Sequence, residues 1–414
     1  MNAPAGAGTV VATDAPPPRG ALSVMFLTVL IDAAGVGLIM PVLPALIEEL
    51  APGGIASAAR WGGWLIFVYA LMQFLCGPLL GGLSDRFGRR PVLLAAMLGF
   101  AVDYVFLALA PSLWLLFVGR AIAGVTGACG TTAMAYVADV SAAEDRSRNF
   151  GLIYAGFGLG FIVGPVLGGL LGNIGTRLPF YAAAALCLLN FALAAWRVPE
   201  SLSRERRRAL ELRRLNPLGA LMHVGRAPGV AGLLLALGLV FLSMQSVAST
   251  WSFFGIARLG WNEATIGWTL AFYGVLYVGV QALLVRHTVR RFGEAGNLYL
   301  GLCFHALGLL LLAFSWSTWS TLLFLVPYAI GHIGAPSAQA MLSQRIPADS
   351  QGELQGVVNS LVSLSAIAGP PLMTGLFAAA VARGGPTFGG APFLLGAVLM
   401  AAGALLAWRT ARAR

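Results

Sequence analysis

At 414 residues, with 58% of them hydrophobic, 10% charged and a mean hydropathy of +0.82, the chain has too few charges to cover a water-facing surface and belongs in lipid. The net charge of +10 does not argue for nucleic acid as a partner, because a basic membrane protein owes its charge to orientation. Runs such as Leu233–Val240 and Leu309–Phe314 are apolar on every face, which excludes the alternating strands of a β-barrel and leaves helices.

Residues 1–20, rich in Ala and Pro, read as a disordered cytoplasmic tail without a cleavage site. A bilayer core of about 30 Å needs about 20 apolar residues per helix, and twelve such runs follow. They lie at 22–45, 61–82, 91–110, 112–136, 149–173, 178–197, 229–252, 265–285, 297–315, 319–340, 355–380 and 391–408. The expected fold is therefore an all-α membrane protein of two pseudo-symmetric six-helix bundles, 21–198 and 229–409, ending in a short tail at 410–414. The segment 199–228, with Arg204, Arg206, Arg207, Arg208, Arg213 and Arg214 against Glu200, Glu205 and Glu211, reads as a solvated cytoplasmic linker.

Every basic residue is arginine, and the 26 divide sharply against these spans. With the N-terminus in the cytoplasm, twenty-one fall on that side, Arg60, Arg177, Arg258 and Arg383 fall outside, and Arg120 lies within a span. That asymmetry places both termini in the cytoplasm by the positive-inside rule.

Charged residues within spans are costly and persist mainly for function. Asp32 in the first span and Asp103 in the third can bind and release protons or act as neutral hydrogen-bonded packing groups. Arg120 in the fourth cannot practically deprotonate and reads as a fixed positive charge, with Asp139 as its companion in a coupling network or, alternatively, as a packing residue. Between the second and third spans stands Gly81-Gly82-Leu83-Ser84-Asp85-Arg86-Phe87-Gly88-Arg89-Arg90-Pro91. This tight turn can pair Asp85 with the arginines, and Gly88 permits the reversal. Charge alone makes it a topology signal; the whole pattern matches the signature loop of the major facilitator superfamily.

In the fifth span glycine recurs every fourth residue at Gly156, Gly160, Gly164, Gly168 and Gly172, so another helix can come very close. Pro165 removes a hydrogen bond there and can kink the helix. Gly160-x-x-x-Gly164-Pro165-x-x-Gly168-Gly169 resembles the antiporter motif of proton-coupled drug exporters. Glu144, Gly151, Gly164 and Pro165 recur as Asp349, Gly356, Gly369 and Pro370, each displaced by 205 residues, which suggests duplicated halves. Cys76, Cys129, Cys187 and Cys303 lack metal-ligand spacing and read as packing residues.

Taken together, Asp32 to Pro44, Tyr69 to Cys76, the 81–94 loop, Asp103-Tyr104, Gly119-Arg120, Ala138-Asp139, Asp145-Arg146 and Gln339 to Ser343 resemble the tetracycline/proton antiporters of that superfamily over most of 22–375. The resemblance implies a transporter of the bacterial inner membrane, not an enzyme. It would export a magnesium-chelated tetracycline, or another amphipathic drug, in exchange for a proton. Asp32 and Asp103 would handle substrate and proton, with Gln73 and Gln281 as polar cavity contacts. Gly81, Asp85, Arg86, Gly88, Arg89 and Arg90 would belong to the cytoplasmic gate, and Arg120 to the coupling charges. Where that family commonly has a histidine in the eighth span and an aspartate in the ninth, this chain has Tyr277 and His305, so His305 is either a titrating substitute or a packing group.

No cofactor is expected beyond the proton, with magnesium carried on the substrate, and the partners expected are lipid and a small molecule, with no oligomer required. His223, His287, His305 and His332 are dispersed in sequence with no zinc-ligand pair, which argues against an intramembrane enzyme. The chain has no selectivity filter and no nucleotide-cradling loop. Export or import of an unrelated metabolite remains the alternative of the same class.

Overall fold

A computed structural model describes residues 20–127, 129–142, 144–207, 230–347 and 351–412. Of the tails expected at 1–20 and 410–414, residues 1–19 and 413–414 lie outside the described residues, as does most of the linker, while residues 410–412 continue the last helix. The first half holds α1 (Ala21–Leu50), α2 (Gly54–Phe87), α3 (Arg89–Leu109), α4 (Leu113–Val125), α5 (Cys129–Val140), α6 (Arg146–Ile174) and α7 (Leu178–Arg197). The second holds α8 (Val230–Leu259), α9 (Glu263–Gly279), α10 (Val285–Ala313), α11 (Thr318–Ile330), α12 (Gly334–Ser343), α13 (Gln351–Gly384) and α14 (Ala391–Arg412). Helices satisfy every backbone group within the segment, which lipid demands.

Among the described residues, eleven stretches are long and apolar enough to cross a membrane, and one of them, Glu263–Ala313, is 51 residues long. It contains two crossings. Gln281 hydrogen-bonds the His332 carbonyl, and the His305 ring lies 4.7 Å from the His332 ring. Unbroken helix between 281 and 305 would separate them by roughly 36 Å. The chain reverses at Gly293, whose φ of 69° is open to glycine. The loop expected between the eighth and ninth spans is thus nearly all helix, and twelve crossings result.

The fourth and tenth spans, expected as single helices, are each interrupted. The first breaks after Thr126, before α5 starts at Cys129; the second passes through a 3-10 turn at Gly331–Ile333. Beside that turn lies a π-helical segment, Val280–Leu284.

Helix pairing obeys a twofold relation between the halves. The first span packs on the fifth (α1 on α6) and the seventh on the eleventh (α8 on α13), while α3 on α7 repeats as α10 on α14. The halves meet through α2 against α13 and α6 against α9, contacts that exchange under the same relation.

The glycine ladder of α6 explains its closest neighbour. A Cβ on Gly160, Gly164 or Gly168 would fall on the α1 backbone at Leu30, Ala34 or Leu38, partners spaced four apart like the glycines themselves. Gly169, turned the other way, lies against Glu263 and Ala264 at the start of α9, and Gly267 of α9 lies against Pro165. The motif glycines therefore let α6 pass between its own half and the other.

Candidate functional site: a cavity between the halves

A cavity of about 240 Å³ lies between the halves. From the first half it is lined by Val36, Ile39, Met40 and Leu43 of α1, by Tyr69, and by Phe100, Tyr104 and Arg120. From the second come Gln245, Ala248, Ser249, Trp251, Ser252 and Phe253 of α8. Apolar side chains dominate, aliphatic and aromatic together, and Arg120 is the one charged residue among the described residues of this wall.

Asp103 is fully buried behind that wall, and both its oxygens accept from Arg120, one from Nε at 3.2 Å and one from Nη2. Gly119, with no side chain, leaves Asp103 its space. The Arg120 guanidinium also lies 5.8 Å from the Tyr69 ring centroid. A charge pair this deep persists because each partner satisfies the other. Asp103 is thus placed behind the cavity, reaching it through Arg120.

Asp32 differs. It is half-buried, one helical turn from Val36 on the face of α1 that lines the cavity, and makes no hydrogen bond or ion pair among the described residues. Its carboxylate is the unpaired acid beside the chamber.

Several expected site residues lie elsewhere. Neither Gln73 nor Gln281 is in the cavity wall: Gln73 donates to the Tyr69 hydroxyl and to Gly127 O, both at 3.2 Å, and Gln281 donates to His332 O at 3.4 Å. Each glutamine thus binds a carbonyl at the interruption of the neighbouring span, Gly127 in the first half and His332 in the second. The carbonyls freed by a broken helix need such donors, a demand that spacing along the chain does not reveal.

His305 and Tyr277 are also outside the wall. His305 and His332, dispersed in sequence, come together within the second half, where they line a separate cavity of about 40 Å³. His332 bonds the Tyr273 hydroxyl at 3.1 Å and Tyr328 O at 3.2 Å, and the Tyr277 ring meets its edge at 5.2 Å. The buried Nε2 of His305 has no partner among the described residues. The cavity that His305 lines is wide enough for one or two waters.

Asp139 joins a different group from the one expected. Its carboxylate accepts from Arg89 Nε at 3.1 Å and from Ser201 at 3.2 Å, at the end of the bundle away from Arg120. Arg89 also pairs with Asp85 at 2.6 Å and donates to Ser84 at 3.1 Å. Arg90 donates to Ala195 O at 2.6 Å, while Arg86 lies over Phe87 at the surface. Gly81 has open space around it.

Glu200, read from sequence as part of a solvated linker, is the acceptor at the centre of this group. It takes the backbone N–H groups of Arg89 at 2.8 Å and Arg90 at 3.3 Å, and those of Ser201 and Leu202. An anion at the first turn of α3 meets unpaired donors and the positive end of the helix dipole. Gly88, at φ 112°, has no room for a Cβ, which would strike the Glu200 carboxylate. The only hint in the sequence is an acid directly after the sixth span; 111 residues separate it from Arg89.

The chain matches the model of the Major Facilitator Superfamily over residues 25–370. It is 44% identical over 381 residues to the class C tetracycline resistance protein of Escherichia coli, covering 92% of this chain and 94% of that one. Against the class G tetracycline resistance protein of Vibrio anguillarum the identity is 39% over 381 residues, covering 92% and 95%. A solved structure of the nucleoside transporter NupG, 13% identical, superposes with a TM-score of 0.78 over 94% of this chain and 99% of that one, a likeness of fold alone.

Proposed function

The chain belongs to the Major Facilitator Superfamily and, within it, to the tetracycline resistance proteins, and from that premise we propose that it exports a tetracycline-like drug in exchange for an entering proton. The observation that carries the coupling is the unpaired carboxylate of Asp32 beside an apolar cavity whose one cation among the described residues, Arg120, is already neutralised by Asp103. Such a carboxylate can hold either a proton or a cationic substrate such as a magnesium chelate, and exclusive occupancy by one or the other is what an exchanger requires.

Alternating access follows from the two interfaces. With the Gly88 turn on the cytoplasmic side, as the arginine distribution argues, the contacts between halves lie at the outer ends: Ser252 donates to Met40 O at 2.6 Å, and Gly62 and Gly63 abut Phe253 and Thr374. This is the form closed to the outside. Rocking the halves about α2–α13 and α6–α9 would open that end and bring the Asp85, Arg89 and Asp139 group toward the other half.

The test is uptake into inverted vesicles of the bacterial inner membrane, with and without an inward-acid gradient, over tetracyclines and a panel of unrelated drugs. Gradient-dependent tetracycline uptake that is lost in Asp32→Asn, at wild-type expression, is expected. Full uptake by that variant would end the proton role of Asp32, and uptake of other drugs without tetracycline would move the substrate assignment.

A further inference from the structure

Among the described residues, the second half faces the cavity with no charge, yet it presents one long polar side chain. Gln245 lies on α8 one turn before Ser249, on the same stripe as Ala248 and Ser252. The Ser249 hydroxyl is turned back to Gln245 O at 2.6 Å, and Ser252 is spent on Met40 O. The side-chain amide of Gln245 has no hydrogen-bond partner among the described residues. Gln245 is half-buried and lines the cavity, so its amide is open to pair with whatever occupies that space.

The backbone is shaped around this side chain. A Cβ on Gly369 of α13 would strike Gln245 Cβ and Cγ. Gly369-Pro370 is the repeat of Gly164-Pro165, and Gly164 in its own half clears the α1 backbone at Ala34, two residues from Asp32. The twofold relation thus sets Gln245 opposite the Asp32 region, giving an acid beside one wall and a neutral amide on the other.

We propose that Gln245 is a specificity-determining residue of the transport site, an inference that rests on the drug-exporting reading above. Its carboxamide offers a donor and an acceptor side by side, matched to a neutral edge carrying both, such as a carboxamide or a neighbouring hydroxyl and carbonyl; tetracyclines carry such groups along one edge. Tyr69, Phe100, Tyr104, Trp251 and Phe253 hold the flat rings. A site built to hydrogen-bond its substrate discriminates strongly against analogues that leave it unpaired.

The experiment measures initial uptake rates of tetracycline and of ethidium, a flat cation with no such edge, in inverted vesicles carrying wild type, Gln245→Leu, Gln245→Asn or Gln245→Glu at matched expression. Gln245→Leu is expected to raise the KM for tetracycline roughly five- to tenfold with little change in maximal rate, the worth of one or two hydrogen bonds. Gln245→Asn should fall between, and Gln245→Glu should shift preference toward ethidium by adding an acid. If Gln245→Leu folds poorly, the other two variants still read the preference. Tetracycline KM values within twofold of wild type, or an equal fall in rate for both compounds, would overturn the inference. Wild-type vesicles that take up no tetracycline would instead overturn the function proposed above.

Discussion

At the scale of single residues, the charges separate by the company they keep. Asp103 and Arg120 form a buried pair in which the loss of either leaves an uncompensated charge, a cost of about 3–5 kcal/mol. Asp103→Asn and Arg120→Gln are each expected to lower the unfolding temperature in detergent by several degrees. The double variant should recover part of that stability without recovering transport. Equal stability in all three would mean that the pair does not bear on the fold. The two aspartates and the arginine were legible in the sequence as expensive intramembrane charges. Their division into a bonded pair and a free acid was not, because it depends on α3 and α4 packing face to face.

At the scale of elements, glycine positions differ in what surrounds them. Gly88 combines a positive φ with the Glu200 carboxylate in the space of its missing side chain, so Gly88→Ala should release the cap on α3 and reduce transport severalfold. Gly164→Leu should be worse, since α1 backbone fills that space, and is expected to abolish accumulation of folded protein. Gly81→Ala meets nothing within 4 Å and should accumulate normally. Measured as folded protein by fluorescence-detected gel filtration, equal yields for Gly81→Ala and Gly164→Leu would undo this account of the ladder. The ladder itself was visible as a four-residue repeat, while its partner helix was decided by packing.

At the scale of the whole molecule, the structure is closed where Gly63 approaches α13. A Cβ on Gly63 would lie 3.1 Å from Thr374 Cβ, so a parting of the two helices by a few tenths of an ångström reaches the roughly 3.5–4.5 Å a disulfide spans. In a protein with Cys76, Cys129, Cys187 and Cys303 replaced by serine, Gly63→Cys combined with Thr374→Cys is expected to cross-link under mild oxidation, stop transport, and regain it on reduction. Cross-linked protein that transports at the full rate would show that these ends need not part during the cycle.

Hydropathy, arginine placement and glycine spacing determined the helical class, the number of crossings, the order of the bundles and the family resemblance, because lipid imposes length and apolarity on each span locally. The cavity wall was decided only by tertiary structure. Which side of α8 turns toward α1, which carbonyls Gln73 and Gln281 must satisfy, and that His305 meets His332 all follow from contacts between residues far apart in the chain. A span that is apolar all round carries no signal of which face looks inward, so only packing against its neighbours could assign Gln245 to the chamber and His305 to the interior of its own half.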